Sequence, residues 1–238
     1  MFQNKTFFIT GGTGALGSEL VRYAIKHKAR VFFTYHSNYK KASELQALGA
    51  QAIPCNLASP KTIQPLLAFC AEHIRSIDVL INNCAIVRDH TIWNMTEEEW
   101  DDVITVNIKA IVRLTYGVLP LIKKGTLKKV FNIISRVGLH GAFGQANYAA
   151  SKDALIEFTK ILAVEWADYG IAVNGINPGF MESAMTNVIP EKAKEEHKNK
   201  SLFKIFSSPA EVANFIGYLS SSDRTRISGQ ILHYETRM

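Results

Sequence analysis

A glycine-rich turn between the first predicted strand and the first predicted helix constrains this chain more than any other feature. Residues 5–10 form a short apolar run, residues 11–17 contain four glycines, and residues 18–25 carry apolar side chains at helical spacing. Glycine allows tight bends, and free N–H groups at a helix N-terminus favour the charge of a phosphate. A plain tight turn is the alternative. The position of the turn at the first strand-to-helix junction of an alternating chain favours dinucleotide binding.

Strand and helix patterns alternate along the chain. Further apolar strands are predicted at 30–35, 50–55, 77–81, 129–134, 171–177 and 230–233, with helical patterns at 61–75, 96–121, from 144 to about 169, and 209–219. This order predicts an α/β fold of the Rossmann type, a doubly wound, mainly parallel seven-stranded sheet with helices on both faces. We expect one domain over residues 1–238, with a mobile substrate loop at 182–207, where periodicity is weak.

Composition argues against several classes of protein. No apolar run approaches the roughly 18 residues that a membrane span needs, so we expect a cytoplasmic protein without a membrane partner. The cysteines Cys55, Cys70 and Cys84 form no CxxC pair and indicate neither a disulfide framework nor a metal site. The net charge is +6, but the lysines are dispersed, which argues against a nucleic-acid partner. Small clusters at 123–124 and 128–129 indicate solvated loops or an acidic protein partner.

Tyr148 and Lys152 stand four residues apart in a helical stretch, so both side chains lie on one face, about one turn apart. Tyrosine has an ordinary pKa of about 10, and a neighbouring lysine charge lowers that pKa. The pair therefore suits a general acid. Chance often produces the same spacing in a helix with one half-buried aromatic and one solvated lysine. Ser135 favours the functional interpretation because it ends a predicted strand, where open α/β sheets bind ligands.

Asparagines occur at two places in the chain where their side chains are expected to have a specific role. Asn82 and Asn83 follow an apolar strand, so we expect their amides at the ligand-binding edge of the sheet or in an ordinary turn. Asn107 lies inside a helical stretch, where asparagine has poor propensity and normally makes a specific hydrogen bond or is exposed.

The second predicted strand bears on the choice of cofactor. About 20 residues beyond the glycine turn, an NAD site usually has an acidic residue that binds the ribose hydroxyls, and this chain has none there. The strand ends instead in neutral residues, namely Tyr35, His36, Ser37 and Asn38. Lys40 and Lys41 follow, and they could either reach a 2′-phosphate or simply begin an exposed helix. We therefore predict NADP(H) in preference to NAD(H).

Together these motifs resemble those of the short-chain dehydrogenase/reductase family from about residue 4 to residue 234. The family's glycine loop corresponds to residues 10–17, with Ala15 at a usual glycine position. Its Asn-Asn-Ala-Gly strand end appears at 82–85, with Ala85 in place of the glycine. The four catalytic residues of the family correspond to Asn107, Ser135, Tyr148 and Lys152.

The resemblance implies a role for each of these four residues. Tyr148 would give its proton to a substrate carbonyl oxygen as hydride arrives from the nicotinamide, and Ser135 would donate a hydrogen bond to the same oxygen. Lys152 would lower the pKa of the tyrosine and bind the nicotinamide ribose. Asn107 would disrupt its helix locally to seat a water that returns protons.

The resemblance extends to the rest of the cofactor site. Asn56 stands where the family has an aspartate that contacts adenine, and Ser183 supplies the hydroxyl of the segment that begins at Pro178. The predicted cofactor contacts are Gly11, Thr13, Gly14, Ala15, Leu16, Gly17, Tyr35, His36, Ser37, Asn56, Leu57, Asn83, Cys84, Ala85, Tyr148, Lys152, Pro178, Gly179, Phe180, Met181 and Ser183.

Within the family, residues 144–152 and 177–186 look most like the 3-oxoacyl-[acyl-carrier-protein] reductases of fatty acid biosynthesis. This implies NADPH-dependent reduction of a 3-oxoacyl thioester on an acidic carrier protein, which the lysine clusters would attract. The predicted substrate-pocket residues are Arg136, His140 and Gln145. The family's C-terminus helps to form a tetramer, and residues 233–238 lack its usual diglycine, so a homotetramer and a homodimer both stay open.

Two other functions remain as alternatives. One is a family oxidoreductase that acts on another small ketone or alcohol, such as a sugar, steroid or secondary metabolite. The other is a dinucleotide-binding sensor that has lost catalysis, which the presence of all four catalytic residue types argues against.

Overall fold

The core of the protein is one parallel sheet. The computed structural model describes residues 1–181, 183, 186, 189–221 and 226–235. Within these residues seven strands pair in the order β3-β2-β1-β4-β5-β6-β7, and every pairing is parallel. The strands are β1 (Thr6–Ile9), β2 (Arg30–Tyr35), β3 (Gln51–Pro54), β4 (Val79–Asn82), β5 (Lys129–Ile133), β6 (Ala172–Asn177) and β7 (Ile231–His233).

Helices connect the strands. They are α1 (Ala15–Lys26), α2 (Tyr39–Ala47), α3 (Pro60–His73), α4 (Glu97–Ile104), α5 (Ala110–Gly117), α6 (Leu119–Lys124), α7 (Arg136–His140), α8 (Ala146–Glu165), α9 (Glu191–Asn199) and α10 (Pro209–Leu219). A π-helical turn, Thr105–Lys109, joins α4 to α5, and a short 3₁₀ turn, Ala167–Tyr169, follows α8.

Alternate residues of the strands pack into two hydrophobic layers. Phe7 and Ile9 of β1 belong to a cluster that includes residues of α1 and α10, whereas Phe8 belongs to a cluster that includes residues of α3, α5 and α8. Strands buried on both faces are typical of parallel sheets covered by helices. The predicted doubly wound fold with helices on both faces is therefore confirmed, and one sheet with both faces covered supports the proposal of a single domain.

The structure refines the predicted helices in two places. The helix predicted over 96–121 begins after Thr96, whose side chain forms a capping box with Glu99, and is interrupted by the π-helical turn. The stretch predicted as a loop at 182–207 contains α9, which the sequence pattern did not indicate. Residues 182, 184, 185, 187 and 188 of that stretch, and residues 236–238 at the predicted tetramer end, lie outside the described residues. Among the described residues, no helix has the length and apolar character needed to span a membrane.

Asp78 joins three segments at the edge where the strands begin. Its carboxylate accepts hydrogen bonds from the backbone N–H of Thr6 (2.8 Å), the N–H and hydroxyl of Thr126 (both 2.8 Å) and the N–H of Leu127 (3.2 Å). Burial alone would raise the pKa of this carboxyl, but these donors hold the pKa below its ordinary value. The charged form of Asp78 therefore stabilises the folded state.

We predict that Asp78→Asn lowers the free energy of unfolding by about 2–3 kcal/mol at pH 7, because an amide would direct N–H groups at N–H donors. A carboxyl whose pKa is depressed by folding stabilises the protein above its unfolded pKa, and this contribution is lost as pH falls through the folded pKa. The difference from the wild type in urea unfolding should therefore persist at neutral pH and shrink below about pH 4. An unchanged free energy of unfolding at pH 7 would contradict the prediction.

Candidate active site

A long cleft of about 1120 Å³ runs along the edge where the parallel strands end. Many of its wall residues lie at or just beyond the ends of β1 to β6, and others lie on the helices and loops that follow these strands. All twenty-one predicted cofactor contacts line this cleft, and so do Ser135 and Gln145. The fold thus brings residues that are distant in the sequence, such as Gly11 and Ser183, into one cleft.

The glycine-rich turn forms one end of the cleft. Gly11 has a φ of 67°, and a side chain at Gly17 would place its Cβ 2.2 Å from the carbonyl oxygen of Gly11. The Asn83 amide donates to the carbonyl oxygens of Thr10 (3.0 Å) and Gly11 (3.1 Å) and fixes the turn from the end of β4. Among the described residues no side chain caps the first turn of α1. Its N–H groups and dipole therefore suit a pyrophosphate.

The second strand ends at the same part of the cleft. Tyr35, His36, Ser37 and Asn38 line it, and Asn38 also caps α2 by accepting from the N–H of Lys41 at 3.1 Å. The ammonium group of Lys41 pairs with Glu44 at 3.0 Å. Neither Lys40 nor Lys41 is among the residues that line the cleft.

The adenine side of the cleft differs from the predicted contact in one respect. Asn56 lines the cleft, but its side-chain oxygen accepts a hydrogen bond from the N–H of Ala58 at 3.0 Å. The Asn56 oxygen, which was predicted to contact adenine, therefore already accepts a hydrogen bond within its own turn.

Tyr148, Ser135 and Lys152 meet where β5 ends against α8. The side chains of Ser135 and Tyr148 are hydrogen-bonded. Lys152 is only 2% exposed, and its Nζ donates to the carbonyl oxygen of Ile133 at 2.7 Å. The same Nζ lies 5.6 Å from the centroid of the Tyr148 ring. Tyr148 and Lys152 lie on one face of α8 as predicted, and all three side chains reach the cleft.

Burial reverses the predicted effect on the tyrosine. Loss of contact with water raises the pKa of Tyr148 to about 12, although the Ser135 hydrogen bond acts in the opposite direction and Asp89 adds to the increase. Burial also lowers the pKa of Lys152 to about 8. The prediction that this phenol has a lowered pKa is wrong here, because loss of contact with water has the largest effect on that pKa. The phenol is protonated at neutral pH and can serve as a proton donor.

Asn107 lies in the π-helical turn and is fully buried. Its amide accepts from the N–H of Ile86 (2.9 Å) and donates to the carbonyl oxygen of Ile86 (3.0 Å) and the hydroxyl of Ser151 (3.1 Å). π-Helical turns often occur at functional sites, and this one is the local disruption that the resemblance implied. The side chain does not line the cleft, since it is used to join the segment after β4 to α8.

The predicted substrate residues divide into two groups. Gln145 lines the cleft and donates to Asp89 at 2.7 Å. Arg136 and His140 are not among the residues that line it, so a role for them in the substrate pocket stays a prediction. Ser135 caps the short helix α7 by accepting from the N–H of Val137 at 3.2 Å, and this turn brings Val137 to the cleft instead.

Sequence reasoning missed an apolar part of the cleft. Its side chains come from the segment after β4, the loop before α8, the region before α9 and α9 itself: Ile86, Val87, Phe143, Ile189 and His197. The first two follow directly from the predicted strand end at 82–85, so their position along the chain could have indicated them. The others depend on how distant loops fold over the strand ends.

Comparisons with known proteins agree with this geometry. A family model described as short chain dehydrogenase matches residues 5–194. Proteins named 3-oxoacyl-[acyl-carrier-protein] reductase FabG are similar: that of Staphylococcus epidermidis is 32% identical over 97% of each chain, and that of Thermotoga maritima is 34% identical over 97% of this chain and 96% of the other.

Solved structures share the fold. A mutant short-chain dehydrogenase/reductase of Serratia marcescens has a TM-score of 0.90 at 23% identity and covers 99% of this chain and 98% of its own. A Pseudomonas aeruginosa structure titled RhlG/NADP active-site complex has a TM-score of 0.90 at 25% identity and covers 98% of this chain and 96% of its own.

We predict that Lys152→Met abolishes activity yet stabilises the fold. The depressed pKa of Lys152 costs about 3 kcal/mol at pH 7, and loss of the bond to Ile133 offsets part of the gain, which leaves about 1 kcal/mol. The cost is fully present well below pH 8, shrinks as pH rises from the folded pKa towards the unfolded value of about 10.4, and is lost above that value, where the lysine is neutral in both states. Urea unfolding at pH 7 and pH 10 should show the gain at pH 7 alone; a less stable variant at pH 7 would refute the argument.

Proposed function

The chain belongs to the short-chain dehydrogenase family, whose oxidoreductases use NAD(P), and on that premise we propose that it reduces a 3-oxoacyl thioester to the 3-hydroxyacyl thioester with NADPH. The observation that carries the proposal is the position of Ser135, Tyr148 and Lys152 in the wall of the same cleft that the glycine-rich turn lines. A phosphate-binding turn and a proton donor in one cleft are what a carbonyl reductase requires.

The side chains of the site have separate tasks in this proposal. A bound nicotinamide cofactor would supply the hydride. Tyr148, protonated at neutral pH, donates its proton to the substrate carbonyl oxygen, and Ser135 donates a hydrogen bond to the same atom. Donors that are already in place where charge develops lower the barrier without reorganisation. Lys152, oriented by the Ile133 carbonyl, keeps two further N–H donors that would bind the nicotinamide ribose.

The thioester substrate is supported by the names of the relatives and by the apolar part of the cleft. Ile86, Val87, Phe143 and Ile189 offer a surface for an acyl chain. A sugar would leave these side chains in contact with hydroxyl groups, which lose hydrogen bonds on burial.

The proposed acidic carrier protein has weaker support from the lysine clusters than the sequence suggested. Lys129 is buried inside β5, and burial lowers its pKa, so it is not a surface charge. Lys123 and Lys128 gather around Tyr169, with the Lys123 ammonium 3.4 Å from the ring centroid and the Lys128 ammonium 3.0 Å from the carbonyl oxygen. This surface lies where the strands begin, opposite the cleft. It could attract an acidic partner but does not adjoin the cleft.

Exposed apolar side chains on α5 and α8 support the proposal of a homodimer or homotetramer. Tyr116, Ile161 and Val164 all face solvent. A second copy of the chain would bury them.

We predict that the purified protein oxidises NADPH in the presence of acetoacetyl thioesters and that Tyr148→Phe lowers kcat by about 10²–10⁴-fold, because the general acid is removed. NADPH binding, followed by fluorescence titration, should be unchanged in the variant. A panel of sugar and steroid ketones is the control. Turnover of those ketones without thioester turnover would overturn the substrate assignment, and full activity of the variant would refute the role of Tyr148.

Cofactor choice can be tested at the end of β2. We propose NADP(H), supported by the absence of an acidic residue among the residues that line this end of the cleft and by the NADP named in the RhlG structure. His36→Asp should reduce kcat/KM for NADPH by about tenfold to hundredfold through repulsion of the 2′-phosphate and improve kcat/KM for NADH. His36→Asn is the matched neutral control. A wild-type enzyme with a higher kcat/KM for NADH than for NADPH would contradict the proposal.

A further inference from the structure

A second cavity of about 300 Å³ adjoins the cleft, and we call it the side chamber. It lies between the turn after β6, the C-terminal end of α9, residues 201–207 and the segment that follows β7. Six of its wall residues carry the argument below: Phe180, His197, Phe203, Ile205, Phe206 and Tyr234. Its volume is at the lower end of the roughly 300–1,000 Å³ that small-molecule sites occupy.

Phe180 and His197 line both cavities and therefore lie where the side chamber adjoins the cleft. Their rings are stacked with centroids 4.6 Å apart, and Phe180 also packs on Phe206 at 4.5 Å. A rotation of these rings would join the two cavities. A ligand that passes the pair would move from the cleft that holds Tyr148 directly into the side chamber.

The polar groups in the chamber wall already have partners within the protein. Glu211 accepts from the N–H of Ser208 at 3.1 Å, and Ser207 donates to the carbonyl oxygen of Tyr234 at 2.9 Å. His233 and Glu235 both contact the Asn177 amide, at 2.9 and 2.5 Å. Ser201 and His197 also line the chamber, and the other five wall residues are aromatic or aliphatic: Phe180, Phe203, Ile205, Phe206 and Tyr234. This aromatic and aliphatic part of the wall suits an apolar group.

We propose that the side chamber receives the distal end of the substrate's acyl chain, with Phe180 and His197 as its entrance. The proposal rests on the proposed function, because it extends a substrate whose carbonyl lies at Tyr148. Short chains end within the cleft, whereas longer chains pass the ring pair and bury their last methylene groups. Each methylene group that enters improves binding by about fourfold.

The test compares 3-oxoacyl thioesters of N-acetylcysteamine with four to ten carbons. In the wild type with NADPH, kcat/KM should rise by at least tenfold from the four-carbon to the ten-carbon substrate. Ile205→Trp fills the chamber from its outer wall and should remove this rise while the four-carbon rate stays unchanged. Ile205 is 65% exposed, so the substitution is compatible with folding.

Leu202→Trp is the matched control. Leu202 is 62% exposed, lies three residues away and is not part of the chamber wall, so the rise with chain length should remain. An equal dependence on chain length in the wild type and Ile205→Trp would overturn the proposal, and so would a wild type that gains nothing from longer chains.

A binding measurement separates this proposal from the proposed function. Decanoyl and butyryl thioesters of N-acetylcysteamine lack the 3-oxo group and are not reduced, and calorimetry in the presence of NADP⁺ gives their Kd. Tighter decanoyl binding that Ile205→Trp abolishes supports the chamber even if no 3-oxo substrate is turned over. Equal Kd values for the two thioesters in the wild type would refute the chamber even if acetoacetyl thioesters are reduced.

Discussion

A ladder of buried amides fixes the helix that carries the reactive side chains against the sheet. The Asn82 amide donates to Asn132 (2.8 Å) and to Thr115 of α5 (2.9 Å), and the Asn132 amide donates to Thr159 of α8 (2.9 Å). Thr159 in turn donates to the carbonyl oxygen of Leu155 at 2.7 Å. Since buried polar groups are costly unless paired, sliding α8 along the sheet would break several bonds at once. The positions of Tyr148 and Lys152 depend on this ladder.

A second set of bonds sets the orientation of Tyr148. The fully buried Asn147 donates to the carbonyl oxygens of Arg88 (3.0 Å) and Glu99 (3.3 Å) and accepts from the N–H of Tyr148 at 2.7 Å. Gln145 makes a parallel connection through Asp89. The first turn of α8 is thus held from the segment after β4. A proton donor placed this firmly needs no rearrangement when a carbonyl oxygen arrives.

The sequence predicted most of the fold because its strands are apolar and its turns contain glycine. The sequence did not predict features that depend on how side chains are placed and buried in the folded protein. The helix α9 was missed because it has no buried face, so no apolar period marks it. Arg136 and His140 belong to the short helix that Ser135 caps and are not among the residues that line the cleft, which their spacing in the sequence does not reveal. The raised pKa of Tyr148 comes from burial, and a lysine four residues away says nothing about burial.

Groups that stabilise the fold and groups that destabilise it lie at opposite edges of the sheet. Where the strands begin, the Asp78 carboxylate has its donors in place and joins the starts of β1, β4 and β5. Where they end, the Lys152 ammonium is buried, and within the described residues the Oδ1 atom of Asn82 has no hydrogen-bond partner. A buried charge and an unsatisfied oxygen both lower stability. They are tolerable at the cleft because the opposite edge offsets their cost, which is the separation expected when an active site departs from the rules that stabilise the rest of a fold.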